Sequence, residues 1–177
     1  LQDLAFKHLQ PWRYDILSKA VAKARNRRRD LIDAVQTTVE ASFSAVGMET
    51  QILGREKTLY SIYRKMDEKH LSFAQVTDIY GFRVVVPKAI DCYTALGLMH
   101  QLYKPVPGKF KDYIAIPKLN GYQSLHSTLV GPAGVNVEFQ FRTQAMDAVA
   151  ETGVAAHWLY KANEKDEQMA DRMGSKW

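Results

Sequence analysis

Cys92 is the chain's single cysteine, so no internal disulfide can form, and the composition fits a reducing compartment. No apolar run approaches the length that spans a bilayer. No basic segment leads into an apolar stretch near Leu1, so no secretory signal is expected. A Walker-type glycine loop ending in Gly-Lys-Ser/Thr is missing, which removes the commonest phosphate cradle. The five histidines, His8, His70, His100, His126 and His157, lack metal-ligand spacing. Repeats and low-complexity linkers are absent too, so the 177 residues, 46% of them hydrophobic, read as one domain with a sizeable core. Residue 1 is Leu rather than Met, as expected for a piece of a longer chain.

What is present begins with charge. A formal net charge of +5 points to anionic partners: nucleic acid, nucleotides or acidic lipid. Charge alone does not choose among them. Arg25-Asn26-Arg27-Arg28-Arg29 lies in a stretch of helical periodicity over residues 12–46. Five residues exceed one turn, so these arginines cannot share a face, and a solvated surface is the expected reading over a nucleic-acid patch.

Further along, a strand is expected over 48–53, a helix over 57–69, a strand at 82–86 and a helix over 89–103. Residues 104–122, punctuated by Pro105, Pro107, Gly108, Pro117 and Gly121, read as mostly loop. Two strands follow at 124–130 and 135–142, then a helix over 144–160 and a polar tail. This order predicts an α/β protein of the α+β type, with helices flanking a mixed sheet rather than a doubly wound parallel one.

Several constellations could carry chemistry. Residues 135–142 alternate strictly, placing Glu138, Gln140 and Arg142 on one face. That face is either a solvated surface or a floor offering a carboxylate, an amide and a guanidinium to a ligand. Lys57, Ser61 and Lys65 recur at i, i+4 and i+8 after Gly54-Arg55-Glu56, as in a phosphate cradle or an ordinary amphipathic helix. The loop holds Lys109, Lys111, Tyr113, Lys118, Asn120 and Tyr122, which suit a stacked base and its phosphates, or a flexible basic loop. Asp78, just before the 82–86 strand, would pair with Glu138 if the site holds a divalent metal.

Together these segments resemble the synthetase domain of the RelA/SpoT homologue family, the (p)ppGpp synthetases. The resemblance runs from Gly54-Arg55-Glu56-Lys57 through Ser61-Ile62-Tyr63-Arg64-Lys65-Met66 and Asp78-Ile79-Tyr80-Gly81-Phe82-Arg83-Val84. It continues through Lys111-Asp112-Tyr113-Ile114, Pro117-Lys118-Leu119-Asn120-Gly121-Tyr122-Gln123-Ser124-Leu125-His126 and Val137-Glu138-Phe139-Gln140-Phe141-Arg142-Thr143, to Ala150-Glu151 and Gly153-Val154-Ala155-Ala156-His157-Trp158. It implies a nucleotidyltransferase-like fold and transfer of the β,γ-pyrophosphate of ATP to the 3′-hydroxyl of GDP or GTP, releasing AMP. By the same resemblance, Arg55 and Arg83 stack on adenine, and Lys57, Ser61 and Lys65 hold the ATP phosphates. Asp78 binds Mg²⁺, and Glu138 assists the metal or takes the hydroxyl proton. Tyr122 stacks on guanine, with Lys111, Lys118, Asn120 and His126 around that nucleotide.

Lys109-Phe110-Lys111-Asp112 resembles the basic form of a family subclass motif, which marks long bifunctional enzymes of the SpoT type and suggests GDP as acceptor. Lys109 replaces the usual arginine, keeping the charge but losing the planar fork. The expected division is residues 1–14 as the end of a connector, 15–161 as the synthetase domain and 162–177 as a tail. An upstream hydrolase domain and downstream regulatory domains are the expected partners, in a bacterial cytoplasm, with no membrane or direct nucleic-acid contact. The hydrolase's His-Asp dipeptide does not occur here, so hydrolysis of (p)ppGpp is not expected of this chain. The rival readings are a nucleotide-binding regulatory domain with little turnover and a nucleic-acid module built on the arginine run.

Overall fold

Alternation along residues 136–143 decides where the core lies. The computed structural model describes residues 1–76 and 79–153. Its elements in chain order are α1 (Gln2–Leu9), α2 (Pro11–Ala45), β1 (Gln51–Glu56), α3 (Leu59–Glu68), β2 (Tyr80–Val86) and α4 (Ala89–Leu102). They continue with β3 (Lys104–Pro105), β4 (Lys111–Asp112), β5 (Leu125–Val130), β6 (Asn136–Thr143) and α5 (Gln144–Thr152). The strands run β1-β2-β6-β5-β3 across one sheet, and β4 also pairs with β5. β6 is central, parallel to β2 and antiparallel to β5, so the sheet is mixed as predicted.

Val137, Phe139 and Phe141 point from β6 to one side, each no more than 1% exposed. Phe82 of β2 stacks on Phe139 with ring centroids 5.5 Å apart. Val84, Leu125 and Leu129 complete that surface, and α4 covers it with Cys92, Ala95 and Met99. Burial pushes the Cys92 thiol up to about 11, with Asp91 adding to the shift, so at neutral pH it is a packed apolar group rather than a nucleophile. α2 adds Leu17, Val21, Val35, Val39 and Phe43, an i, i+4 stripe. Ile16 is half exposed, while Leu17 and Val21 face inward.

Element boundaries differ from expectation in four places. Residues 1–14, read as connector, contain a helix of their own. Pro11 lacks an N–H and restricts Gln10, so α1 stops there and α2 restarts with proline in its first turn. β1 lies three residues later than expected, because its antiparallel ladder with β2 carries the chain straight through Gly54. The 104–122 loop contains two short strands that borrow hydrogen bonds from β5. α5 ends at Thr152, capped by Gly153 at φ +73, a conformation that suits glycine. The remainder of the helix predicted to residue 160, and the tail, lie outside the described residues. Among the described residues no helix is long and apolar enough to cross a membrane.

Phe139 makes the central contact of this core, so Phe139→Ala should cost about 3–5 kcal/mol, read as a lower urea midpoint at unchanged slope.

Candidate active site

The other face of the sheet is polar, and its register assembles the site. Arg55 on β1, Gly81 on β2 and Glu138 on β6 form one row across three strands. The next row holds Arg83, Gln140, His126 and Lys111. Gly81 puts no side chain between its neighbours, so Arg55 reaches over it and places Nη1 3.4 Å from Glu138 Oε2. A Cβ at residue 81 would sit 3.2 Å from the Glu138 carbonyl oxygen, tighter than ordinary packing.

This face is no solvated surface. Gln140 and Arg142 are only 2% and 3% exposed. A buried guanidinium must find acceptors, because its unpaired desolvation is costly. Arg142 finds four: Ser124 Oγ from Nε at 3.3 Å, Asp147 Oδ1 from Nη1 at 3.1 Å, and Tyr122 Oη and Gln140 Oε1 from Nη2, both at 2.6 Å. Its planar group also lies 5.1 Å from the centroid of the Tyr122 ring. The sequence offers Arg142 as a guanidinium for a ligand; in the structure its donors are taken up by protein acceptors. Its spacing of four from Glu138 on the alternating strand was the available signal.

Two routes lead from Arg142 to Glu138. Gln140 accepts from Arg142 and turns its amide towards Glu138 Oε1 at 3.4 Å. Tyr122 Oη, which accepts from Arg142, lies 2.7 Å from His126 Nε2. With that oxygen accepting, the phenol proton is available to Nε2, and the imidazole proton then sits on Nδ1, 3.5 Å from Glu138 Oε1. Burial first, then the charges of Arg142, Lys118, Arg55 and Lys57, hold the His126 pKa down at about 3. The His126–Glu138 approach is therefore a long contact from a neutral N–H rather than an ion pair. Lys57 and Lys118 are therefore close enough for their charges to act on His126.

The loop over 104–122 is built around this network. Lys118 lies over both Tyr113 and Tyr122, with its ammonium 4.6 and 5.1 Å from the ring centroids. Asn120 Oδ1 accepts from the Tyr122 N–H, and Gly121 at φ +78 closes the turn. Lys111 is exposed on β4, paired in the ladder with His126. Asp112 beside it is structural: it accepts from the Ile114 and Ala115 N–H groups and from Tyr93 Oη. Burial acts to raise its pKa, but these three hydrogen bonds outweigh that and hold the carboxyl below the usual range.

At the other end of this face, Thr58 rather than Lys57 opens α3: its hydroxyl accepts from Ser61 N–H. Lys57 therefore lies in the connection before the helix, and only Ser61 and Lys65 share the helical face. Asp3 reaches across from α1 to accept from the Leu59 and Tyr60 N–H groups, while Phe6 stacks on Tyr63 at 4.6 Å. Arg25, read as solvated, donates to Glu56 and to the Lys57 carbonyl, pinning the β1–α3 junction. Arg83 meets Asp147 and Glu151 on α5, neither of which was predicted as a site residue. Among the described atoms, its buried Nε finds no partner.

Glu138 is the hard-oxygen donor facing this set, and Mg²⁺ takes one or two carboxylates together with phosphate oxygens and water, so the residues fit that ion. Asp78, the second predicted ligand, lies outside the described residues. Among the described residues, no cluster of three or more His, Cys, Asp or Glu forms a protein-only metal cage.

The model for the region found in RelA and SpoT proteins matches residues 54–165, well over half of the chain. The chain belongs to the RelA/SpoT family. It is 51% identical over 163 residues to the guanosine-3′,5′-bis(diphosphate) 3′-pyrophosphohydrolase of Vibrio cholerae, covering 92% of this chain and 23% of that protein. It is 48% identical over 177 residues to the bifunctional (p)ppGpp synthase/hydrolase SpoT of Escherichia coli K12, covering 100% of this chain and 25% of that protein. The chain thus spans about a quarter of the length of the curated relatives it matches. Among solved structures it is similar to small alarmone synthetase 2 from Bacillus subtilis, with 29% identity and a TM-score of 0.62 over 85% of this chain and 86% of that one. The RelA/SpoT assignment agrees with the mixed sheet and its flanking helices.

The depressed His126 pKa has a thermodynamic consequence. An unfolded histidine takes up a proton near pH 6.5, whereas the folded site resists until about pH 3. Stability from this group is therefore complete above about pH 6.5 and is lost as pH falls towards 3. Between pH 6.5 and 5 the loss should reach about 2 kcal/mol relative to His126→Gln, measured by urea unfolding without divalent ions.

Proposed function

We propose that this chain is a (p)ppGpp synthetase domain that transfers the β,γ-pyrophosphate of ATP to the 3′-hydroxyl of GDP or GTP. One observation carries the reading: Glu138 stands between a cationic side, with Arg55 at 3.4 Å, and an aromatic side, with Tyr122 linked to it through His126. Arg55 and Arg83 supply planar guanidinium faces for the adenine. Lys57, Ser61 and Lys65 receive the ATP phosphates beside the N-terminus of α3, whose dipole favours negative charge. Tyr122 offers its ring to guanine, and Lys111, Lys118, Asn120 and His126 surround that nucleotide.

The reaction brings two polyanions into one cleft, so charge stabilisation and positioning carry most of the catalysis. The 3′-oxygen bonds to the β-phosphorus while the bond from that phosphorus to the α,β-bridging oxygen breaks, and AMP leaves with the electron pair. The 3′-hydroxyl proton passes to the Glu138 carboxylate, the base nearest the junction of the two sides. Gln140 and His126 keep that carboxylate in place from one edge, and Arg55 does so from the other. A bound Mg²⁺, held by Glu138 and Asp78, would offset phosphate charge.

Both activities named for the Escherichia coli relative belong to a protein four times as long. The hydrolase and regulatory regions of such a protein are the proposed partners of this domain. Glu138→Gln should lower the rate of ppGpp and AMP formation from ATP and GDP by at least about 10²-fold, since it removes the base while keeping the shape. Anion-exchange chromatography of the reaction reads both products. No product from GDP or GTP with the unsubstituted chain would contradict intrinsic synthesis and favour a regulatory nucleotide-binding role.

A further inference from the structure

Arg83 on β2 and Arg142 on β6 project from adjacent parallel strands onto the same face of the sheet, two positions apart in register. Two cations so placed repel each other, weakly screened because Arg83 is 18% exposed at its side chain and Arg142 only 4%. A single atom resolves the conflict. Asp147 Oδ1, from the first turn of α5, lies 3.2 Å from Arg83 Nη1 and 3.1 Å from Arg142 Nη1.

The position of Asp147 near a helix N-terminus accounts for a negative charge there through the helix dipole. It does not account for one oxygen being shared between guanidiniums that serve different ends of the site. Arg83 belongs to the donor side, and its remaining ion pair is with the more exposed Glu151. Arg142 belongs to the acceptor side, since its other terminal nitrogen holds the Tyr122 hydroxyl at 2.6 Å. The path Arg83–Asp147–Arg142–Tyr122 is continuous, made of one ion pair and two charge-assisted hydrogen bonds in a largely buried setting.

We propose that Asp147 is a positioning residue that couples the two nucleotide subsites, so that filling one tightens the other. This rests on the synthetase reading for its assignment of Arg83 to the donor base and Tyr122 to the acceptor base. When a donor base stacks on Arg83, the guanidinium satisfies part of its charge on the base, and the shared oxygen turns towards Arg142. Arg142 then holds Tyr122 more firmly, and the acceptor meets a ring already in place. Linkage makes the effect reciprocal: an acceptor that fixes Tyr122 draws Arg142 and Asp147 together and leaves Arg83 to the donor.

Calorimetry on the whole chain tests this. GDP is titrated with Mg²⁺, with and without saturating α,β-methylene ATP, whose carbon bridge replaces the oxygen of the bond that breaks. The unsubstituted chain should bind GDP about fivefold tighter, or more, when the analogue is present. In Asp147→Asn that ratio should fall close to one while both nucleotides still bind, and Asp147→Glu, which keeps the charge, should restore part of it. A merely structural role would weaken both affinities in parallel and leave the ratio unchanged, and that result overturns the proposal. A ratio of one in the unsubstituted chain overturns it equally. Failure of the unsubstituted chain to bind either nucleotide removes both this proposal and the synthetase reading. Intact coupling without ppGpp formation removes only the claim of synthesis.

Discussion

The burial of one guanidinium, Arg142, sets the terms for the rest of the polar face. Strict alternation along β6 forces its side chain away from the phenylalanine core, yet packing leaves it only 3% exposed. A charge in that position is tolerated only when hydrogen bonds and a counter-charge replace its water. Ser124, Asp147, Tyr122 and Gln140 do so, and they come from the approach to β5, from α5, from the loop and from β6 itself. Four chain segments are thus tied to one side chain. The orientation of Tyr122, the tautomer of His126 and the placement of Glu138 follow from it.

The two faces of the sheet divide the work. The apolar face carries Phe82, Phe139 and Phe141 and is covered by α4, which gives a rigid platform independent of the charged groups opposite. Rigidity matters because an in-line displacement between two anionic nucleotides depends on holding cations where charge develops. Arg55, Lys57, Lys118 and Arg142 all act on His126, so their fields overlap within one cleft. Glu138 lies between them, 3.4 Å from Arg55 and 3.5 Å from His126.

Much of this was legible beforehand, for physical reasons. The period-two pattern of residues 135–142 is unambiguous, and it placed Glu138 on the polar face. The helices expected over 12–46 and 89–103 declare themselves by periodicity and are found at 11–45 and 89–102. What could not be read was anything set by register. The row Arg55–Gly81–Glu138 joins residues 26 and 57 positions apart, and no local rule links them. Asp147 carries no local signal of its own in the sequence, because only the pairing of β2 with β6 brings two arginines to it. The arginine run was misjudged in one respect, since helical phase turns Arg25 inward onto the β1–α3 junction while Arg27 stays exposed. Asp78, predicted from family resemblance, falls outside the described residues.

The most direct measurement is a crystal structure of this chain with α,β-methylene ATP, GDP and Mg²⁺. The adenine should lie between Arg55 and Arg83, the donor phosphates at Lys57, Ser61 and Lys65, the guanine on Tyr122, and the GDP 3′-oxygen within hydrogen-bonding distance of Glu138. Guanine bound away from Tyr122, or a 3′-oxygen remote from Glu138 with both nucleotides present, would contradict this arrangement.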